Sequence, residues 1–254
     1  MCEVPIQVSI LPLEPGTKTS IILPTYKERD NIVELVQTIH GHLANDHFPY
    51  EIVIVDDNSP DGTADVVQEA FGKDPRVHLF VRTEARGLAT ALRYGAEHSS
   101  GDVLVFMDTD FNHDPAAIPQ LVKFLEFYDV VIGSRFVMRG GMEDSARYVF
   151  SFIYNLVLRF LFGTRVWDNL SGFFAIRRAR LMELDLDRVF YGYGDYFIRL
   201  LMVGWRRGWY LLEIPVFYRL RAHGHSKTQF ITIFVQYTVS ILKLWLNLGL
   251  GRIQ

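Results

Sequence analysis

The feature that most constrains this chain is an alternation that runs through its first half. Residues 19–24 and 51–55 are short apolar runs with the look of buried strands, and 77–81 and 103–107 read as a third and a fourth strand. Between them lie stretches of helical spacing. The first carries Ile32, Leu35, Val36, Ile39 and Leu43, with Asp30 as its expected N-cap. The others cover residues 63–71 and 87–99. Strand alternating with helix predicts an α/β fold, a mostly parallel sheet covered by helices on both faces. Ligands in such sheets sit beyond the carboxyl ends of the strands. Three polar segments fall there: residues 25–28, Asp56-Asp57, and Asp108-Thr109-Asp110. They are distant in sequence, and the topology is expected to bring them to one rim.

The second half is less regular. Residues 130–132 read as a strand ending in Gly133-Ser134-Arg135, residues 139–142 as a glycine-containing loop, and residues 211–218 as a final strand before a basic loop at 219–227. Two stretches, 148–162 and 229–250, are strongly apolar. With 49% hydrophobic and 22% charged residues in 254, the chain has a sizeable core and is not a disordered one. Cys2 is the sole cysteine, which excludes an internal disulfide. The first 17 residues carry three prolines and no apolar h-region, so a loose N-terminal arm and a cytosolic location are expected.

The net charge of −3 divides unevenly. Residues 1–114 hold 8 Lys and Arg against 19 Asp and Glu, whereas residues 115–254 hold 18 against 10. Carboxylates in one half suit a metal, and basic groups in the other suit phosphate. A slightly acidic chain without a basic aromatic platform is a poor nucleic-acid binder. Asp108 and Asp110 are the sharpest pair. Two carboxylates one residue apart at a strand end can share a hard divalent cation with a diphosphate, with Asn112 and His113 close enough to add or orient a ligand. A solvated turn or a helix N-cap would use the same residues. Asp57 can accept hydrogen bonds from a base or a ribose, while Asp61 and Gly62 read as turn residues.

Seven segments occur in a fixed order: P-T-Y-K-E (24–28), V-D-D-N-S-P-D-G-T (55–63), R-G-L-A-T-A (86–91), M-D-T-D-F-N-H-D-P (107–115), G-S-R (133–135), S-G-F-F-A-I-R-R (171–178) and R-A-H-G-H-S-K (221–227). Together they resemble the dolichyl-phosphate (polyprenyl-phosphate) mannosyltransferase branch of the family 2 glycosyltransferases, over about residues 20–228. The resemblance implies a GT-A, Rossmann-like fold. It divides the chain into an arm (1–18), a GT-A domain (19–228) with a nucleotide-binding half (19–114) and an acceptor half (115–228), and a C-terminal amphipathic helix (229–254). It implies nucleotide contacts at Pro24, Tyr26, Glu28, Val55, Asp57 and Thr109, and Mg²⁺ or Mn²⁺ on Asp108, Asp110 and Asn112. It places Arg135 near the donor sugar and acceptor phosphate, Arg147 on the acceptor side, and Arg221, Ser226 and Lys227 in a loop over the diphosphate. Asp114, Phe174, His225 and the stretch 191–196 depart from the common pattern, which bears on sugar specificity.

The reaction implied is a metal-dependent, inverting transfer of a hexose from a nucleotide sugar, GDP-mannose before a UDP-hexose, to a polyprenyl or dolichyl phosphate. Asp110, Arg135, Arg221 and Lys227 would stabilise the charges. The alternative is a hydroxyl acceptor in a polysaccharide or small glycoside, which requires a general base. Asp195 is the candidate, with a loop aspartate or helix N-cap as its other reading. A lipid acceptor calls for contact with a bilayer. Gln229, Gln236, Ser240, Lys243 and Asn247 form one polar stripe in 229–250, and Ser151, Asn155 and Arg159 form another in 148–162. Both stretches are therefore expected to lie in the membrane interface on the cytosolic face. Core helices, a homo-oligomer contact or a small membrane partner subunit are the other readings.

Overall fold

A computed structural model describes residues 13–14, 16–44 and 49–220. Residues 221–254, and with them Arg221, Ser226, Lys227 and the stretch 229–250, lie outside the described residues.

The alternation folds as expected. Strands β1 (Thr19–Thr25), β2 (Tyr50–Asp56), β3 (Val77–Val81) and β4 (Val103–Phe106) are parallel. They are joined by helices α1 (Arg29–Leu43), α2 (Thr63–Phe71) and α3 (Leu88–His98). After a 3₁₀ turn at Pro115–Ala117 come α4 (Ile118–Phe124), β5 (Val130–Ser134), β6 (Gly141–Met142) and α5 (Ser145–Phe162). The rest is β7 (Phe174–Arg177), α6 (Arg178–Met182), α7 (Leu186–Val189), α8 (Asp195–Arg206), β8 (Leu211–Pro215) and β9 (Phe217–Tyr218).

The seven-stranded sheet has the order β3-β2-β1-β4-β7-β5-β8, with β7 antiparallel to both neighbours. Its two faces bury alternate residues, as a period of two requires. Ile22, Val53, Val55, Leu104 and Phe106 pack with α3 and α8 on one side. Ile21, Leu23, Ile52, Ile54, Val103 and Val105 pack with α1, α2 and α4 on the other. Helix α3 approaches the sheet closely at Gly95, where a Cβ would come within 2.6 Å of Ile22. The chain runs outward from β1 to β3 and then returns to β4 on the other side of β1. The crevice at this reversal opens between the carboxyl ends of β1 and β4.

Four expectations are corrected. Asp30 is not the N-cap of α1: the helix starts two residues earlier than that cap would set, with Glu28 at the cap position and Asp30 in the first turn. The Glu28 and Arg29 amides donate to Thr63 Oγ1 and Asp61 Oδ2, which fixes the earlier start. Residues 139–142 are not all loop, because Gly141–Met142 pairs with Phe217–Tyr218. The strand read over 211–218 is two. It leaves the main sheet at Pro215, where the ring removes a ladder donor, and joins β6 instead. The basic run Arg177, Arg178 and Arg180, whose sequence reads as a solvated helix face or membrane-facing charge ring before a phosphate contact, is instead tied to the protein. Arg177 donates to the Leu125 carbonyl, Arg178 to those of Gly101 and Ala96 at 2.7 and 3.0 Å, and Arg180 to Asp129 at 2.8 Å.

At the amino end of the sheet, Glu51 is buried and saturated. Oε1 accepts from Ser20 Oγ and the Ser100 amide, and Oε2 from Lys18 Nζ and Ser100 Oγ. Burial alone would raise this carboxyl. The hydrogen bonds, that from Lys18 foremost, outweigh it and hold the group at about 2. A depressed carboxylate stabilises the fold above its unfolded pKa and loses that stabilisation as pH falls toward the folded value. Urea unfolding is therefore expected to show Glu51→Gln about 2–3 kcal/mol less stable than wild type at pH 7, with the gap closing between about pH 4.5 and 2.

Candidate active site

The rim is built by the residues that follow each parallel strand. At the end of β1, Thr25 Oγ1 donates to Asp56 Oδ1 at 2.8 Å. Asp56 also accepts from the Ser59 amide and hydroxyl, and Ser59 Oγ takes the Lys27 amide at 2.9 Å. Asp56 thus ties the loops after β1 and β2 together. Asp57 points elsewhere. Its Oδ1 accepts from Arg82 Nε at 2.7 Å and from Nη2, and its Oδ2 accepts the Gly87 amide at 2.7 Å. Arg82 also donates to Thr90 Oγ1 and the Gly87 carbonyl, so this pair holds the ends of β2, β3 and the start of α3 in one unit. Asp61 accepts from the Thr63 amide and hydroxyl, the turn role expected of it.

The ends of β1 and β4 meet directly, with Thr109 Oγ1 donating to the Pro24 carbonyl at 3.3 Å. The Asp108 side chain is 47% exposed at the mouth. Asp110 is buried, and its two oxygens accept from the Asn112 amide at 3.1 Å and Asn112 Nδ2 at 2.8 Å. His113 is fully buried, and burial pulls its pKa down to about 4, with nearby Asp110 opposing. Its Nδ1 takes the Asp108 amide at 2.9 Å, so the ring serves as a hydrogen-bonder within the fold. Lys27, Asn58 and Phe111 adopt left-handed backbone with φ of 60°, 52° and 62°. One follows each of β1, β2 and β4, so conformational strain gathers at this rim.

The donor set at the rim is oxygen-only: two carboxylates and the Asn112 amide. That chemistry fits Mg²⁺ or Mn²⁺. No group of three or more His, Cys, Asp or Glu side chains suited to a metal occurs among the described residues. A cation held by Asp108 and Asp110 would complete its shell with water and substrate phosphate, which is how Mg²⁺ is commonly bound. Tyr26 and Glu28 flank the same crevice. The Arg86 guanidinium lies 5.4 Å from the Tyr26 ring centre, and Glu28 Oε2 accepts from Asn31 Nδ2 at 2.8 Å.

On the other side, Arg135 follows β5. Its Nε and Nη2 donate to the Asp168 carboxylate at 2.8 and 2.7 Å, and its amide reaches Asp168 at 3.0 Å. Burial works against the charge, yet Asp168 more than offsets this and raises the guanidinium pKa. Arg147 sits in the first turn of α5 beside Asp144, at 3.5 Å. Asp195 opens α8 and forms a buried pair with Arg199, while its Oδ1 caps the Tyr193 amide at 3.0 Å.

Pro24, Tyr26, Glu28, Val55, Asp57, Asp108, Thr109, Asp110 and Asn112 thus share the β2-β1-β4 rim, with Arg135 at the end of β5 and Asp195 at the start of α8. Sequence reading missed Arg82, Asp168 and Arg199. Arg82 had a signal, a lone charge immediately after the apolar run of β3.

A mostly parallel sheet with one antiparallel strand and an acidic rim at its switch point matches the GT-A glycosyltransferase fold. The family model described as glycosyl transferase family 2 matches residues 20–185, and the chain belongs to that family. Dolichol-phosphate mannosyltransferase of Pyrococcus furiosus is 36% identical over 234 residues, 89% of this chain and 63% of that protein. The chain therefore spans less than two thirds of that relative. Polyprenol monophosphomannose synthase of Mycolicibacterium smegmatis is 34% identical, covering 85% of this chain and 82% of the relative. Among solved structures, glucosyl-3-phosphoglycerate synthase from Mycobacterium tuberculosis with Mn²⁺, UDP and phosphoglyceric acid superposes with a TM-score of 0.70 at 22% identity, covering 91% of this chain and 78% of that one.

The Arg135–Asp168 pair gives a direct test of the packing at this corner. Removing one partner of a buried pair strands the other charge. Arg135→Met is expected to cost about 3–5 kcal/mol in urea unfolding, and Arg135→Met with Asp168→Leu to recover most of it.

Proposed function

We propose that this chain is a metal-dependent, inverting glycosyltransferase that moves a hexose, mannose from GDP-mannose, onto a polyprenyl phosphate at a membrane surface. The observation that carries the reading is the acidic pair Asp108 and Asp110 at the switch point, beside Pro24 and Asp57, in a chain whose relatives are named for polyprenyl-phosphate mannosyl transfer.

In this reading Tyr26, Glu28, Val55 and Asp57 bind the nucleoside, with Arg82 holding Asp57 in place. Asp108 and Asp110, buttressed by Asn112, would hold a divalent cation, which supplies positive charge against the leaving diphosphate. Arg221, Ser226 and Lys227 are assigned to the same diphosphate. The acceptor phosphate is already an oxyanion at neutral pH, so no general base is required. One of its oxygens forms the bond to the anomeric carbon as the bond to the β-phosphate oxygen breaks, and the centre inverts. Arg135 and Arg147 stand on the acceptor side. The Arg135 fork is committed to Asp168, so its contribution is a fixed positive charge near the acceptor. The hydroxyl-acceptor reading asks for a base, and its candidate, Asp195, is tied to Arg199.

Helix α5 supports the membrane part. Its polar stripe turns inward: Asn155 Oδ1 accepts the Asn169 amide at 2.7 Å, and Arg159 lies 3.5 Å from the Trp167 ring centre. Val149, Phe150, Ile153, Leu156, Val157 and Phe160 face outward, Phe160 at 89% exposure. No helix among the described residues is long and apolar enough to cross a membrane. An apolar face of this kind suits insertion into the headgroup boundary of the cytosolic leaflet.

Purified protein with Mg²⁺ or Mn²⁺ and a short polyprenyl phosphate should form the mannosyl lipid from GDP-mannose faster than from UDP-hexoses, and leave soluble hydroxyl acceptors unchanged. Excess chelator should stop turnover, and Asp110→Asn should lower kcat by about 10²-fold or more. Transfer at full rate in chelator would overturn the metal assignment.

Vesicle co-sedimentation should register the α5 face separately. Phe150→Ser with Phe160→Ser is expected to weaken vesicle binding by about tenfold or more, given about 1.5–3 kcal/mol for each fully buried aromatic or aliphatic side chain. Unchanged binding would remove α5 from the interface.

A further inference from the structure

One buried group beside the acidic pair has no part in the transfer chemistry above. β4 ends at Phe106, and the Met107 amide still reaches the Ile22 carbonyl at 3.4 Å. The next amide, that of Asp108, donates instead to His113 Nδ1 at 2.9 Å. Phe111, with its positive φ, turns the chain so that residue 113 comes back to residue 108. An amide can only donate, so Nδ1 bears no hydrogen and Nε2 bears it.

The imidazole is held on both sides. It lies parallel to Phe173, with ring centres 4.9 Å apart and 9° between planes, and it meets Tyr218 at 4.8 Å in an edge-to-face contact. The Tyr218 ring in turn carries the Arg135 guanidinium 4.7 Å from its centre, and the Tyr218 hydroxyl donates to the Ser171 carbonyl at 2.9 Å. Phe173, His113, Tyr218 and Arg135 therefore form one packed column. The Asp108 amide joins it at His113, and the Asp168-bound arginine stands at its far end. Interiors packed to crystal density pass displacements along such contacts.

We infer that His113 is a positioning residue: its Nδ1 fixes the Asp108 backbone so that the carboxylate faces the mouth, and its ring sets that backbone against the column carrying Arg135. This rests on reading Asp108 and Asp110 as a cation site. His113 touches neither cation nor substrate in this role. It acts through Asp108, as the partners behind metal ligands commonly do.

The test compares variants that differ in the acceptor or in the ring. Asn and Leu have nearly the same shape, but only Asn offers an oxygen where Nδ1 stands. Phe keeps the ring stack and removes the acceptor. Free Mn²⁺ is followed by its paramagnetic resonance signal during titration of the full chain in the presence of GDP or UDP, with melting temperature measured alongside. His113→Leu and His113→Phe are expected to raise the Mn²⁺ dissociation constant by about tenfold or more. His113→Asn should stay within about threefold of wild type. A merely structural role would lower the melting temperature without moving Mn²⁺ affinity in the folded protein. Wild-type affinity in folded His113→Leu or His113→Phe overturns the inference, as does a His113→Asn protein as weak as His113→Leu. If neither apolar variant folds, His113→Asn alone decides, and a loss beyond about tenfold overturns it. A wild-type protein that binds no Mn²⁺ with either nucleotide overturns the cation site itself, and the inference with it.

Discussion

The register of β1 is the constraint on which the site depends. Every residue of Thr19–Thr25 is buried, and the strand is paired in parallel on both edges. A slip of one position would exchange Ile21 and Leu23 with Ile22 between two different cores. With the register fixed, Pro24 and Thr25 can stand only beside Asp56 and just beyond Phe106. The acidic pair after β4, the turn after β2 and the loop after β1 are thus placed by the hydrophobic sorting of one buried strand.

The groups at that rim are held by buried charge pairs rather than left to find a ligand. Asp57 with Arg82 and Arg135 with Asp168 each combine short contacts with additional backbone hydrogen bonds. Pairs of this type carry a desolvation cost that good geometry offsets, and they add more to uniqueness of arrangement than to net stability. Left-handed backbone at Lys27, Asn58 and Phe111 belongs to the same pattern, local strain tolerated where the loops must turn sharply.

Much of this was legible in the residues. The helix over Thr63–Phe71 and the strand over Val77–Val81 begin and end where the sequence places them, the strand as a half-buried sheet edge. What escaped depends on partners distant in the chain. β7 is the four-residue segment F-A-I-R, whose strand character comes from pairing with β4 and β5. The break at Pro215 reflects competition between two sheets. Asp30 has the chemistry of a cap, but contacts from Asp61 and Thr63 moved the helix start. In α5 the amphipathic pattern was visible and its direction was not: only the buried Asn155 shows that the polar side faces the protein. Asp168 gave no local hint, since its importance lies wholly in Arg135, 33 positions earlier.

The antiparallel course of β7 has a consequence for how such a chain diversifies. Every parallel strand delivers its last residues to the rim, whereas β7 delivers the segment that precedes it, from Asp168 to Phe173. That segment hangs from α5 by a connector rather than from the parallel strands β1, β2 and β4. Its length and composition can drift while β1, β2 and β4 keep their places. One part of the rim is thereby set by the register of the parallel strands, and the other by a connector that the sheet does not index.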